Sequence, residues 1–356
     1  MKQNKLIALL SALLFNIVAG TAIAAATGFN PLAVIGGGAA LSAFLKPMQG
    51  IMPMAIQKEI WMNSIVEGLF ADNSFLTKAF NADEFVNQGK TVHIPNAGAP
   101  SGVEKNRSTF PATVTSRTDI DLTFELDNYS TDPIKINLAE TVELSYNKRE
   151  SVLKQDKTKL KEEVSEGILY EWFKGATKNL KTTGVGVDAH TASATGLRKA
   201  FTKTEVKAAM TQFNIDNVPA EDRYFLIDAV MYDQLIDSLT DKESTAFHAA
   251  ADIKNGIVGK LFSFNIMMRS KVGRFTGAGA SKAWATAGAA TDNAAGLAWH
   301  HDSLCRALGE VVAREQLNSP TYYGDIYSFE VRCGGRAMRN DVKGLLAIVQ
   351  DTATAE

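Results

Sequence analysis

The fold turns on how one stretch is read: AWHHDSLCRALGEVV, residues 298–312. Cys305, Leu308 and Val312 recur at helical spacing, with Leu304 and Val311 beside them, and Asp302 stands where a first-turn acid favours exposed helix amides. The spacing therefore predicts a helix. His301 and Cys305 lie four apart, the spacing of two metal ligands on one helix face. A structural zinc needs four ligands. The remaining histidines, His93, His190 and His248, are scattered, and Cys333 is alone, so the stretch reads as a packing element rather than a metal centre.

On the C-terminal side, YSFEVRC (327–333) alternates as a strand, Gly334 and Gly335 are expected to turn or kink it, and GLLAIV (344–349) reads as a buried strand. On the N-terminal side lies GAGASKAWATAGAATDNAAG (277–296). Gly277, Gly279 and Lys282 do not meet the spacing of a phosphate loop, and the expectation is a mobile surface loop. Before it, GKLFSFNIMMRSKVG (259–273) reads as a strand, and RYFLIDAVMYDQLIDSL (223–239) as a buried strand running into a helix. TKTEVKAAMTQF (202–213) opens a helix with Glu205 three residues after Thr202, a capping box.

The longest helical pattern covers about 138–173. Leu153, Leu160, Val164 and Ile168 form one stripe, and lysines and glutamates fill the other faces. The clearest strand is TDIDLTFELD (118–127). Ile120, Leu122, Phe124 and Leu126 take one face; Asp119, Asp121, Thr123, Glu125 and Asp127 take the other. Same-face side chains on a strand point in parallel, roughly 7 Å apart, which suits pairing with basic neighbours such as Lys105, Arg107 or Arg117 better than shared binding of one cation. NQGKTVHIPNAGAP (87–100) reads as a strand entering a loop. YSTDPIKINLAE (129–140) adds an alternating piece after Pro133, and the strands flanking STDP suggest a long two-stranded arm that must lean on another body. QKEIWMNSIVEGLFADNSFLTKAF (57–80) has helical spacing.

The totals bound the function. The chain has 356 residues, 46% of them hydrophobic, and a net charge of −2, so no global basic field draws it to nucleic acid or anionic lipid. Two cysteines make no disulfide framework. Residues 1–28 resemble a secretory signal peptide, with Lys2, Lys5, an apolar run and Ala22-Ile23-Ala24; a second apolar, glycine-rich block follows at 29–45. A membrane hairpin is the alternative for the two blocks together. No G-x-S-x-G, H-E-x-x-H or Walker lysine occurs. The expectation is no enzyme and no cofactor.

In their order along the chain these phrases resemble the major capsid proteins of tailed double-stranded-DNA phages, the Hong Kong 97-type family. The resemblance covers about Lys58–Gln350, with Tyr323, Gly324, Gly335, Arg336 and Gly344 falling where such proteins commonly have them. It implies an α+β fold with an apolar N-terminal segment (1–56), an N-terminal arm (57–87) and an extended hairpin loop (88–137) reaching over a neighbouring subunit. A spine helix of the peripheral domain (138–180), a mainly axial domain (181–296) and a C-terminal part completing both domains (297–356) follow. It implies that 298–310 is a structural helix without chemistry. The partners implied are further copies in hexamers and pentamers, portal and scaffold or cement proteins, and packaged double-stranded DNA in a virion assembled in the host cytoplasm. Contact sites between subunits are expected at Asp119, Asp121, Glu125, Asp127, Lys105, Arg107 and Arg117. The apolar 1–56 departs from the charged N-terminal segments of some relatives, leaving cleavage, burial and membrane association open. An encapsulin-like compartment and a secreted or membrane-anchored protein are the other readings.

Overall fold

The computed structural model describes residues 62–353, except 63–64, 67, 70–72, 88–89, 97–101, 109, 112–113, 115–119, 138–147 and 340. The apolar 1–56 thus lies outside the described residues, as do Arg117 and Asp119. Everything described falls within one unit, Ile60–Glu356.

Met62, Ile65, Val66, Gly68 and Leu69 are helical, and Ser74–Lys78 form a 3₁₀ turn where the sequence pattern favours helical spacing throughout. Ile65, Leu69, Phe75 and Leu76 are all buried. Short strands β1 (Phe80–Asn81) and β2 (Val86–Asn87) follow, then β3 (Thr91–Asn96) and β4 (Ile120–Glu125), which pair antiparallel. β5 (Asp127–Ser130) and β6 (Ile134–Asn137) come next. The 28-residue α1 (Lys148–Gly175) is about 42 Å long. Its expected stripe of Leu153, Leu160, Val164 and Ile168 is buried throughout. β7 (Asn179–Lys181), β8 (Gly186–Asp188) and β9 (Leu197–Lys199) lead to α2 (Lys203–Ile215), whose N-terminus carries the expected Thr202–Glu205 capping box. β10 (Arg223–Asp228) runs into α3 (Ala229–Asp237), with Asp228 accepting from the Met231 amide as N-cap. α4 (Asp241–Ala249) precedes β11 (Ile257–Leu261), β12 (Phe264–Arg269), β13 (Gly273–Phe275) and β14 (Asn293–His300). The chain ends in β15 (Leu304–Ser319), β16 (Gly324–Ala337) and β17 (Leu345–Val349).

One mixed sheet has the order β11-β12-β10-β14-β17-β7, with β13 on β14. Both its faces are covered, so β10, RYFLID, is buried at every position. Phe225, Ile227, Phe264, Ile266 and Leu346 pack with Phe213, Met231, Leu235 and Phe247 of the three shorter helices. Tyr224, Leu226, Met267, Trp299 and Leu345 pack with Leu169, Trp172 and Phe173 of α1. The other large sheet is the β15–β16 ribbon, with β1 on one edge and β5 and β6 on the other.

Three expectations are corrected here. Residues 298–310 are not a helix: they form the end of β14, a 3₁₀ turn (His301–Ser303) and the start of β15. The register with β16 shifts between Leu308 and Val311. Leu304 and Leu308 before this bulge, and Val311 and Ala313 after it, reach the same core cluster. A bulge flips the parity of a strand, so inward positions separated by four and three residues imitate a helix. The STDP segment is not a hairpin turn: β5 and β6 lie in series along one edge of β16, and Thr131 bridges them by exchanging hydrogen bonds with Phe329. The arm is β3–β4 instead, with the short β2 paired to β3. Gly334 and Gly335 neither turn nor kink β16, which runs to Ala337. Gly335 is there for proximity: a Cβ would stand 2.5 Å from the indole nitrogen of Trp172 and 2.8 Å from the Cys305 carbonyl oxygen.

Candidate assembly surfaces

The arm begins where the chain leaves the ribbon. β4 keeps the predicted alternation: Leu122 and Leu126 are buried, while Asp121, Thr123, Glu125 and Asp127 face water. Leu126 donates its amide to the Lys90 carbonyl at 2.8 Å, closing the base of the arm, and the ribbon holds the arm through the Arg336 side chain, whose Nη1 donates to the Thr123 carbonyl at 3.0 Å. Among the described residues the acidic face has one ion pair, Lys90–Glu125 at 3.5 Å, with both side chains exposed. Such a pair adds little to stability. Lys105 and Arg107 lie in the loop joining β3 to β4. Arg107 pairs with Glu104 at 3.4 Å rather than with the strand's carboxylates. Among the described residues that face is therefore not paired with Lys105 or Arg107.

The same loop carries an exposed apolar set that charge patterning did not single out. Val103 is 99% exposed, Phe110 76% and Val114 95%. Two open clefts flank α1. One, about 550 Å³, lies between α1 and β5–β6 and is lined by Tyr129, Ile134, Leu160, Asp132, Asp156 and Glu163. The other, about 640 Å³, lies at the arm's base between Phe124, Asp127, Glu171, Lys174 and Arg336.

Among the described residues no three His, Cys, Asp or Glu side chains lie close enough to hold a metal ion. His301 sits on the 3₁₀ turn beside Asp302, while Cys305 is buried with its thiol toward the Arg336 carbonyl, so the helical spacing that would have joined them does not exist. Burial pushes the Cys305 thiol up to about 11 and the Cys333 thiol up as well, keeping both protonated at neutral pH. His190 Nε2 meets Asp228 at 2.9 Å, but Asp228 already caps α3, which fits a structural tie between the loop before β9 and the helix. Burial lowers the His300 pKa, and its ring accepts from the Asp302 amide. No helix among the described residues is long and apolar enough to cross a membrane.

The Ala/Gly-rich segment expected to be mobile is tied down. Buried Arg274 donates Nη2 to the carbonyls of Ala283 and Thr286. Buried Arg198 donates to the carbonyls of Ala290 and Asp292 and to Asn293 Oδ1. Lys282 pairs with Asp292 at 2.7 Å. Arg274 also lies 5.1 Å from the Trp284 ring centroid. Periodicity could not find these anchors because they lie elsewhere in the sequence.

No family model matches the chain, and no curated protein does. Solved structures do. The capsid of Ralstonia phage GP4 matches with TM-score 0.56 at 12% identity, over 78% of this chain and 88% of that one. The capsid structure of the cyanophage P-SCSP1u matches with TM-score 0.54 at 16% identity, over 76% and 85%. A chain from Mycobacterium phage Che8 matches with TM-score 0.53 at 14% identity, over 77% and 90%. The chain thus has the α+β Hong Kong 97-type capsid fold.

Proposed function

We propose that the chain is the major coat subunit of a tailed phage, assembling into hexamers and pentamers of an icosahedral head that encloses double-stranded DNA. The observation that carries this is the match to several phage capsids across about three quarters of the chain. The exposed arm supports it. Val103, Phe110 and Val114 are all highly exposed on this one loop, as apolar side chains that meet a partner surface would be. In this reading the β3–β4 arm crosses a neighbouring subunit. Asp121, Glu125, Asp127, Lys105 and Arg107, with Asp119 and Arg117 outside the described residues, make charged contacts there. The role is structural rather than catalytic, and portal and scaffold or cement proteins join it in a virion built in the host cytoplasm. Residues 1–56 are processed or packed at subunit contacts.

Negative-stain electron microscopy of the purified protein, full length and beginning at Gln57, tests the reading. Closed shells or five- and six-membered rings are expected from at least one form. Monomers from both, with the full-length protein in membranes, would overturn it. Intact mass of assembled protein gives the fate of the N-terminus: a loss of roughly 2–3 kDa fits signal-type cleavage, and about twice that fits removal of both apolar blocks.

A further inference from the structure

The two edges of β15 are treated differently. Its inner edge is paired with β16 along nearly its whole length. On its outer edge, among the described residues, β1 takes only Cys305 and Arg306, and Asp83 accepts from the Leu308 amide at 2.7 Å. Beyond Leu308 no described strand pairs with that edge up to Ser319. A long unpaired edge is a template for another strand.

Register tells which groups face out. Leu308 stands opposite Cys333 and turns its amide away from β16, toward Asp83. Val311 and Ala313 stand opposite Val331 and Phe329, two and four residues from Cys333 along β16, so they share that outward orientation. Their side chains enter the core, at 8% and 7% exposure. Glu310 and Arg314 are exposed on the other face. Arg314 is already held on that face by Glu330 across the ribbon.

This segment complements itself. An antiparallel second copy centred on Val312 sets Val311 against Ala313, exchanging both backbone hydrogen bonds. It also sets Glu310 against Arg314, and by symmetry each pairing occurs twice. We propose that the outer edge of β15 is a twofold contact, at which Val311–Ala313 pairs with the same segment of a second copy and the sheet runs through both subunits. The contact rests on the fold; only its place in a particle rests on the shell reading.

Hydrogen exchange of wild-type particles and of subunits dissociated from them, resolved at Val311 and Ala313, is the first test. Protection in particles alone is expected. Protection already present in the dissociated subunit would mean that this chain's own residues cover the edge, and absence of protection in particles would mean that nothing does; either overturns the proposal. Charge exchange is the second test. Glu310→Arg and Arg314→Glu each set like charges opposite one another when self-paired, and each should weaken association roughly tenfold. An equimolar mixture of the two variants restores opposite charges at every position and should recover association; a mixture no better than either alone overturns the proposal. Melting curves confirm that both variants are folded. Normal particles without edge protection would sink this contact and leave the shell reading intact. Edge-protected dimers that never form particles would do the reverse.

Discussion

Two long loops of this protein are built on opposite principles. Residues 276–292 are mostly Ala, Gly and Thr and have almost no side chains with which to hold themselves, yet they are anchored: Arg198 and Arg274, both nearly inaccessible, donate hydrogen bonds to the loop's carbonyls. The loop between β3 and β4 has Val103, Phe110, Val114, Lys105 and Arg107, ample means of making contacts. Among its described residues it makes one local ion pair and leaves its apolar groups in water. Composition is thus a poor guide to which loop is fixed. A loop without side chains can be held through its backbone by donors supplied from the core. A loop rich in contact-making side chains that, among the described residues, make only one local ion pair fits a surface that meets another molecule.

The anchored loop offers the largest effect. Arg274→Ala removes the donor to Ala283 and Thr286 and strips one of the two cations from buried Asp292. Removing one partner from a buried charge cluster costs about 3 kcal/mol or more, so urea unfolding should show a loss of that size. A loss below about 1 kcal/mol would mean that Lys282 alone secures Asp292 and that the arginine is incidental. Gly335→Ala asks the same of close packing in β16. The new methyl would need the Trp172 indole or the Cys305 carbonyl to move, and overpacking of this kind costs about 1–3 kcal/mol. Unchanged stability would show that the ribbon gives way there without cost.

How much of this was legible beforehand follows from where the information lies. Local chemistry was readable: the Thr202 capping box, the alternation in β4, the buried stripe of α1 and the strand-to-helix passage at Asp228 all depend on neighbours within a few residues. The errors came from long-range effects. The bulge after Leu308 gave a strand helical spacing. Residues flanking Thr131 have the local pattern of a hairpin because their common partner, β16, lies about 200 residues away. Gly335 looked like a turn signal because nothing local announces Trp172. The proposed contact residues are legible only as charges: Asp121, Glu125 and Asp127 are exposed, but the apolar set in the loop beside them and the edge of β15 without a described partner emerge only from the fold.

Acid should separate the two loops. Burial alone would raise the Asp292 pKa, but hydrogen bonds from Lys282 and the Ala289 amide outweigh it and hold the carboxyl below its ordinary value. An acid with a lowered folded-state pKa contributes stability that is present above its unfolded value, about 3.9, and is lost as pH falls through the lower one. The protection of the Ala280 and Ala289 amides against hydrogen exchange, measured relative to the intrinsic rate at each pH, should therefore fall as pH drops below about 4. If exchange there follows the intrinsic pH dependence alone, the Asp292 tie does not hold the loop.

The smallest expected change is in the arm, and its smallness is the point. Asp121→Lys with Glu125→Lys, or Phe110→Asp with Val114→Asp, alters side chains that are exposed in the subunit. Surface substitutions without buried partners stay within about 0.5 kcal/mol, so the unfolding midpoint of the isolated subunit should barely move. Particle yield should fall in both pairs, and further in the apolar pair, because a charge buried against a neighbour without a partner costs more than a lost rim contact. An unfolding midpoint that falls with Phe110 would mean the loop leans on its own subunit, and the contrast with the anchored loop would collapse. Normal particles from both pairs would leave the exposed apolar set without a role in assembly.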